Sequence, residues 1–276
     1  MGNLVNPLGQ WEIGTGAETG WSQNGNTAEN TRIYGPNPWK QKAVIWTSQW
    51  DGILTGTPPY EDTGEGESNA DGGFLSGYVP CDPTKKYRFS WWINRHVHGG
   101  GGYNYFGLYT YNSSYSSQAN LYHTTKSSST NHYFYVPSYN TLPENEWILI
   151  VAHLWPYGTV STTNDPTSGR YKLGSGGVKY ANISNDMDFA FDTTSYIRTR
   201  SYMYYCVRTD NDPPWETTGD LNAEARTWWY WPRIDLVDGT EPTIQQLLRN
   251  ANYQATMLAG NGLSLTVQCR EMQHRG

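Results

Sequence analysis

The sequence predicts an all-β chain, an antiparallel β-sandwich (jelly roll) with one C-terminal helix. Three observations predict it. Runs rich in β-branched and aromatic residues recur along the chain, bounded by clusters of Gly, Pro, Asn, Asp and Ser. One of them alternates cleanly, with Tyr87, Phe89, Trp91 and Ile93 on one face and Arg88, Ser90, Trp92 and Asn94 on the other. No helical stripe intervenes between these runs, and strands joined by turns pack as sandwiches rather than as parallel α/β layers.

Taken in order, the strand candidates are 43–50, 73–79, 86–95, 103–111, 133–136, 146–155, 187–191, 195–208 and 225–237. The segment 242–258 has helical period, with Ile244, Leu247, Leu248 and Ala251 on one stripe. Thr240 is the expected N-cap, Glu241 suits the positive end of the helix dipole, Pro242 fits the first turn and Gly260 the stop. Beyond 261, the alternation of Leu263, Leu265 and Val267 suggests one more strand, with a second copy of the chain as a plausible partner. The expected division is a sandwich domain over 1–240 followed by a helix and tail over 241–276.

Composition narrows the function. With 22 Tyr and 13 Trp beside only 16% charged residues, aromatic rings must supply much of the core. A net charge of -6 without a Lys/Arg cluster argues against nucleic acid and anionic membranes as partners. No run approaches eighteen apolar residues, and the N-terminal residues lack the pattern of a leader, so membrane insertion and export by a signal peptide are not expected. Cys81, Cys206 and Cys269 are too few and too dispersed for a disulfide framework or a zinc site.

Sugar recognition uses the flat face of Trp or Tyr against the C–H face of a pyranose, flanked by side chains that bond hydroxyls. Two neighbourhoods offer this: Trp91 and Trp92 beside Asn94 and Arg95, and Trp228, Trp229, Tyr230 and Trp231 running into Arg233 and Asp235. Adjacent strand residues face opposite ways, so one tryptophan of each pair points away from the core unless both faces of the sheet are covered. The stretch 98–140, rich in Gly, Ser, Tyr and Asn, reads either as a recognition surface or as long solvated connections. His96 and His98 share one side of a strand without an evident third metal ligand. Acid pairs can be nominated at Glu144 with Glu146, Asp186 with Asp188, and Glu61 with Asp62 and Glu65, but no nucleophile elbow, metalloprotease motif or phosphate loop occurs. The expectation is a binding protein rather than an enzyme.

Asn3-Leu4-Val5, Trp11-Glu12-Ile13-Gly14-Thr15-Gly16 and Gly20-Trp21 resemble the first strand of carbohydrate-binding-module-like jelly rolls in bacteriophage tail and fibre proteins. The run Val79-Pro80-Cys81-Asp82-Pro83-Thr84-Lys85-Lys86-Tyr87-Arg88-Phe89-Ser90-Trp91-Trp92-Ile93 is similar to another strand of these modules, and 230–242 resembles their last strand and following helix. The resemblance implies a virion component, tail-fibre or receptor-binding, made in the host cytoplasm, that contacts host-surface polysaccharide and other virion proteins, while the alternating tail suggests a homo-oligomer. It also implies a structural calcium held by Glu12 and Asp235. A capsid decoration or architectural subunit and a polysaccharide-degrading sandwich enzyme stand as alternatives.

Overall fold

The computed structural model of the protein describes residues 3–5, 11–49, 72–97, 103–122, 128–129, 132–135, 142–159, 161, 163–182, 188–204 and 226–249. The strands are β1 (Gly14–Thr15), β2 (Trp21–Asn24), β3 (Asn30–Pro36), β4 (Lys42–Gln49), β5 (Gly73–Ser76), β6 (Val79–Pro80), β7 (Tyr87–Val97), β8 (Tyr103–Tyr111) and β9 (Ser117–Gln118). They continue as β10 (Asn120–Tyr122), β11 (Ser128–Ser129), β12 (Tyr133–Tyr135), β13 (Trp147–Trp155), β14 (Gly169–Lys172), β15 (Phe189–Ala190), β16 (Tyr196–Tyr204) and β17 (Arg226–Leu236), and a helix α1 (Ile244–Arg249) follows.

Two sheets form. The larger runs β1-β3-β4-β17-β7-β13-β15-β10-β11 with β14 also on β13, and the smaller runs β12-β8-β16-β5-β2 with β6 and β9 at its margins. Among the described strands pairing is antiparallel except between β13 and β15, and an isolated parallel bridge joins Arg95 to Glu144. The predicted sandwich and its C-terminal helix are therefore present.

The strand period decides what lies between the sheets. From the larger sheet Trp46, Phe89, Trp91, Ile93, Ile148, Ile150 and Trp229 point inward to meet Trp21, Phe74, Phe106, Leu108 and Ile197 of the smaller one. Each buried indole takes roughly 200 Å² out of water, ~5 kcal/mol of gross transfer energy before ordering costs. The ring N–H groups find partners on the way: Trp91 Nε1 donates to Thr199 Oγ1 of the facing sheet at 2.7 Å, and Trp229 Nε1 donates to Ser48 Oγ at 2.8 Å.

The outer face of the larger sheet is also covered. Trp92, Leu149, Val151, Tyr230 and Trp231 form a second apolar cluster beneath Ile244, Leu247 and Leu248 of α1. Trp39, from the loop between β3 and β4, closes over them and donates its Nε1 to the Leu248 carbonyl at 2.8 Å. The helix begins later than its sequence signals suggest. Thr243 and Gln246 form a capping box, each side chain accepting from the other's backbone N–H. Thr240 instead closes a turn on Asp238, which places Pro242 just before the cap. Residues 250–276, including Ala251, Gly260 and the suggested last strand, lie outside the described residues.

Candidate functional site

The smaller sheet keeps an open outer face, and its chemistry follows from alternation in two strands. In β8, Asn104, Phe106, Leu108 and Thr110 are buried, so Tyr105 and Tyr109 point outward with Tyr111 at the strand end. In β16, Ile197, Thr199, Ser201 and Met203 are buried, leaving Tyr196, Arg198, Arg200 and Tyr202 on the outer side. Antiparallel register sets Tyr111 opposite Tyr196, Tyr109 opposite Arg198, Gly107 opposite Arg200 and Tyr105 opposite Tyr202.

Arg200 is central to one half of this face. Gly107 has no side chain to compete with it, and none would fit: a Cβ there would lie 2.1 Å from the His132 carbonyl oxygen, where β12 crosses. The Arg200 guanidinium lies 4.9 Å from the Tyr109 ring centroid and 4.7 Å from that of Tyr202. It donates to the Tyr133 hydroxyl at 2.7 Å and to the Tyr109 hydroxyl. Tyr133 and Tyr202 share a hydrogen bond of 3.0 Å, and Tyr105 stacks on Tyr202 at 4.5 Å with planes inclined by 6°. Burial raises the Tyr133 and Tyr202 phenols above their ordinary range, so both remain protonated donors at neutral pH. Burial, and then the Arg200 charge, lowers His132, whose ring stands 4.5 Å from that of Tyr109.

The other half is more open. Tyr78 is 42% and Tyr115 52% exposed. Tyr115 stacks on Tyr196 at 4.7 Å and 19°, while Tyr78 sits edge-on to Tyr111 and Tyr115 and beneath the Arg198 guanidinium at 4.6 Å. The turn that presents Tyr115 holds it at φ 61°, an uncommon backbone for a bulky residue. The Asn112 side chain fixes that turn by accepting from the backbone N–H groups of Ser114 and Ser116. Among the described residues neither Arg198 nor Arg200 pairs with a carboxylate. The face is an apolar, hydroxyl-edged strip with two uncompensated cations.

The residues nominated from sequence lie elsewhere. Trp91 and Trp229 fill the space between the sheets, and Trp92 is sealed beneath Trp39 at 5.4 Å. Trp231 occupies a bulge at φ 52° and is buried beside Arg233, whose guanidinium lies 4.8 Å from its ring. Arg95 is buried and pairs with Glu144 at 3.0 Å. None of these side chains forms an open platform, because Trp91 and Trp229 face the smaller sheet while Trp92 and Trp231 lie where α1 and Trp39 cover the outer face of the larger one.

Glu12 and Asp235 are not brought together. Glu12 is exposed just before β1, with β3 and β4 between it and the strand that carries Asp235. The Asp235 carboxylate accepts from Arg233 Nη2 at 2.5 Å and from Arg88 Nη2 at 2.9 Å, and Arg88 Nη1 also donates to the Pro242 carbonyl at 2.6 Å. Burial alone would raise this carboxyl, but the two guanidiniums outweigh it and hold its pKa low. The expected calcium pair is thus an aspartate engaged by two arginines and a distant glutamate. Among the described residues no three His, Cys, Asp or Glu side chains cluster as metal ligands.

The nominated acids that lie among the described residues, Glu144, Glu146 and Asp188, each have their own partners. Glu146 pairs with Lys172 at 2.7 Å, and Asp188 is buried, accepting from Ser168 Oγ at 2.6 Å and from the His153 backbone N–H at 2.9 Å. His153 Nδ1 completes this chain at 2.8 Å from Ser168 Oγ, so the serine hydroxyl stands between the aspartate and the imidazole rather than at the end of the row. Asp186, Glu61, Asp62, Glu65 and His98 lie outside the described residues, as do Cys206 and Cys269. Cys81 is a free thiol, pushed up to about 12 by burial and then by Asp82.

No family model matches the sequence, and no curated protein matches it. Solved structures do resemble it. One is the CBM22-1 xylan-binding domain from Paenibacillus barcinonensis Xyn10C, with TM-score 0.36 and 10% identity over 80% of this chain and 88% of that one. A second is the CBM22-1–GH10 portion of a Clostridium thermocellum endo-1,4-beta-D-xylanase, with TM-score 0.39 and 11% identity over 88% of this chain and 30% of that one. A third is a family 11 carbohydrate-binding module from Clostridium thermocellum, with TM-score 0.34 and 13% identity over 82% of this chain and 96% of that one. These likenesses are of β-sandwich architecture, and the reading of ligand chemistry rests on this chain's own surface.

Proposed function

We propose that the protein is a non-catalytic, glycan-binding β-sandwich that takes a polysaccharide chain along the outer face of the smaller sheet. The observation that carries this reading is the strip of stacked tyrosines spanned by Arg198 and Arg200. Phenol faces match the C–H faces of pyranose rings, while phenolic hydroxyls and guanidiniums donate to sugar oxygens. From Tyr105 to Tyr111 the strip covers about 20 Å of strand, enough for several sugar rings in a row. The scattered and paired carboxylates support binding without bond cleavage.

The resemblance of 79–93 to tail and fibre modules supports a virion as the setting, with host-surface polysaccharide as ligand and neighbouring virion proteins as partners. A glycan array with pull-down on insoluble polysaccharides tests the ligand class, and immunogold labelling of purified particles tests the setting. Saturable retention on a polysaccharide without release of reducing ends is the expected result. Release of reducing ends would return the degrading-enzyme alternative.

A further inference from the structure

A cleft lies on the outer face of the larger sheet. At one end of the larger sheet the outer face carries Trp228 of β17, Asn94 of β7 and Trp147 of β13 as direct cross-strand neighbours. The two indole centroids are 6.4 Å apart with planes inclined by 39°, and the asparagine amide stands between them in the register. This row lines a cleft of about 470 Å³. Sites for small molecules fall in the range of about 300–1,000 Å³.

The walls of the cleft are built. On one side the Pro36 carbonyl accepts from Trp147 Nε1 at 3.2 Å. The loop beyond it is tied by Asn37 Oδ1, which accepts from the backbone N–H groups of Trp39 and Gln41 and leaves Lys40 at φ 61°. On the other side Asn145, at φ 54°, donates its backbone N–H to the Arg95 carbonyl at 2.8 Å, and Leu173 is partly exposed.

Asn94 is the telling residue. It is only 5% exposed, and its buried Oδ1 accepts no hydrogen bond. A buried amide oxygen left unsatisfied destabilises the fold, and an apolar side chain of the same size would avoid that cost. An amide whose oxygen accepts no hydrogen bond, set between two indoles in a cleft of ligand size, has the chemistry of a sugar site: a half-buried indole for the C–H face of a ring and an amide for its hydroxyls. We infer that this cleft binds a single neutral pyranose ring, as a free sugar or a chain end, through Trp228 and Asn94, independently of the tyrosine strip.

The test uses the full chain labelled with 5-fluorotryptophan and titrated with D-glucose, D-xylose, D-galactose and D-mannose while the fluorine resonances of Trp228 and Trp147 are followed. At least one sugar should shift both resonances saturably. Asn94→Leu should weaken that response about tenfold or more while its melting temperature stays equal to or above that of the parent. Trp228→Ala, at a half-buried ring, should keep the fold and abolish the Trp147 response. Tyr78→Ala/Tyr115→Ala should leave the cleft response intact even where it removes polysaccharide retention, so the two sites fail separately. The inference is overturned if no sugar shifts either resonance, if the shifts vanish in the tyrosine double variant, or if Asn94→Leu lowers stability and so shows that the amide serves the fold.

Discussion

The Tyr115 ring stacks on that of Tyr196, 4.7 Å away and inclined by 19°, at the most exposed end of the tyrosine strip. Little of the fold rests on Tyr115, so Tyr115→Ala should change stability by no more than about 0.5 kcal/mol. Loss of one sugar-stacking ring should weaken polysaccharide binding by ~1–1.5 kcal/mol, about tenfold. Affinity electrophoresis in polysaccharide-containing gels, alongside thermal melts, checks both.

Trp91 and Trp229 should behave in the opposite way. Both fill the interior between the sheets and give their N–H groups to Thr199 and Ser48, so truncation to alanine leaves a large cavity and two orphaned hydroxyl contacts. Each should cost about 3–5 kcal/mol, and Trp92→Ala, beneath Trp39, should cost a similar amount. Urea unfolding measures this, and a well-folded Trp92→Ala variant that loses only ligand binding would contradict the burial described here.

Asp235 holds two buried guanidiniums, one from Arg88 and one from Arg233. Asp235→Asn should therefore destabilise by roughly 3–5 kcal/mol, because it leaves buried cations without their counter-charge. Since this carboxylate is taken up by arginine, a calcium chelator should leave the melting temperature of the parent unchanged. A chelator-induced drop would restore the calcium expectation for Glu12 and Asp235.

His153 makes the stability pH-dependent. Burial, the largest influence, pushes it from 6.5 down to about 4 despite the opposing pull of Asp188 and Asp165. A lowered folded pKa means that the folded state binds fewer protons than the unfolded chain between those values. The stabilisation is therefore complete above pH 6.5 and is lost as the pH falls toward 4, by up to about 3 kcal/mol. Thermal melts from pH 7.5 to 4.5 should show the decline, and His153→Gln should flatten it.

Much of the architecture was legible in the sequence, while the site was legible only in part. The alternation of 86–95 sorted the side chains of β7 between its two faces, but the half-buried strand it suggested is buried on both, and 103–111 coincides with β8. β3 escaped notice because it ends in Gly35-Pro36 and leaves Ile33 and Tyr34 in solvent, which blurs its period. The tryptophan pairs were expected to expose one ring each and do not, because alternation says which rings face apart but not what covers the second face. Here α1 and Trp39 do, and their packing joins residues more than 200 positions apart. The tyrosine strip had a usable signal in the alternating Tyr and Arg of 103–111 and 196–204 and in the Tyr-rich stretch 98–140. Joining the two strands edge to edge required the register of β8 with β16, which no local pattern encodes.

The central claim is tested most directly by comparing the parent chain and Tyr78→Ala/Tyr115→Ala on one glycan array, with circular dichroism to confirm that both are folded. The parent should bind at least one polysaccharide class saturably, and the double variant should lose that binding with its fold retained. Undiminished binding by the double variant, or no binding by the parent to any glycan, would contradict it.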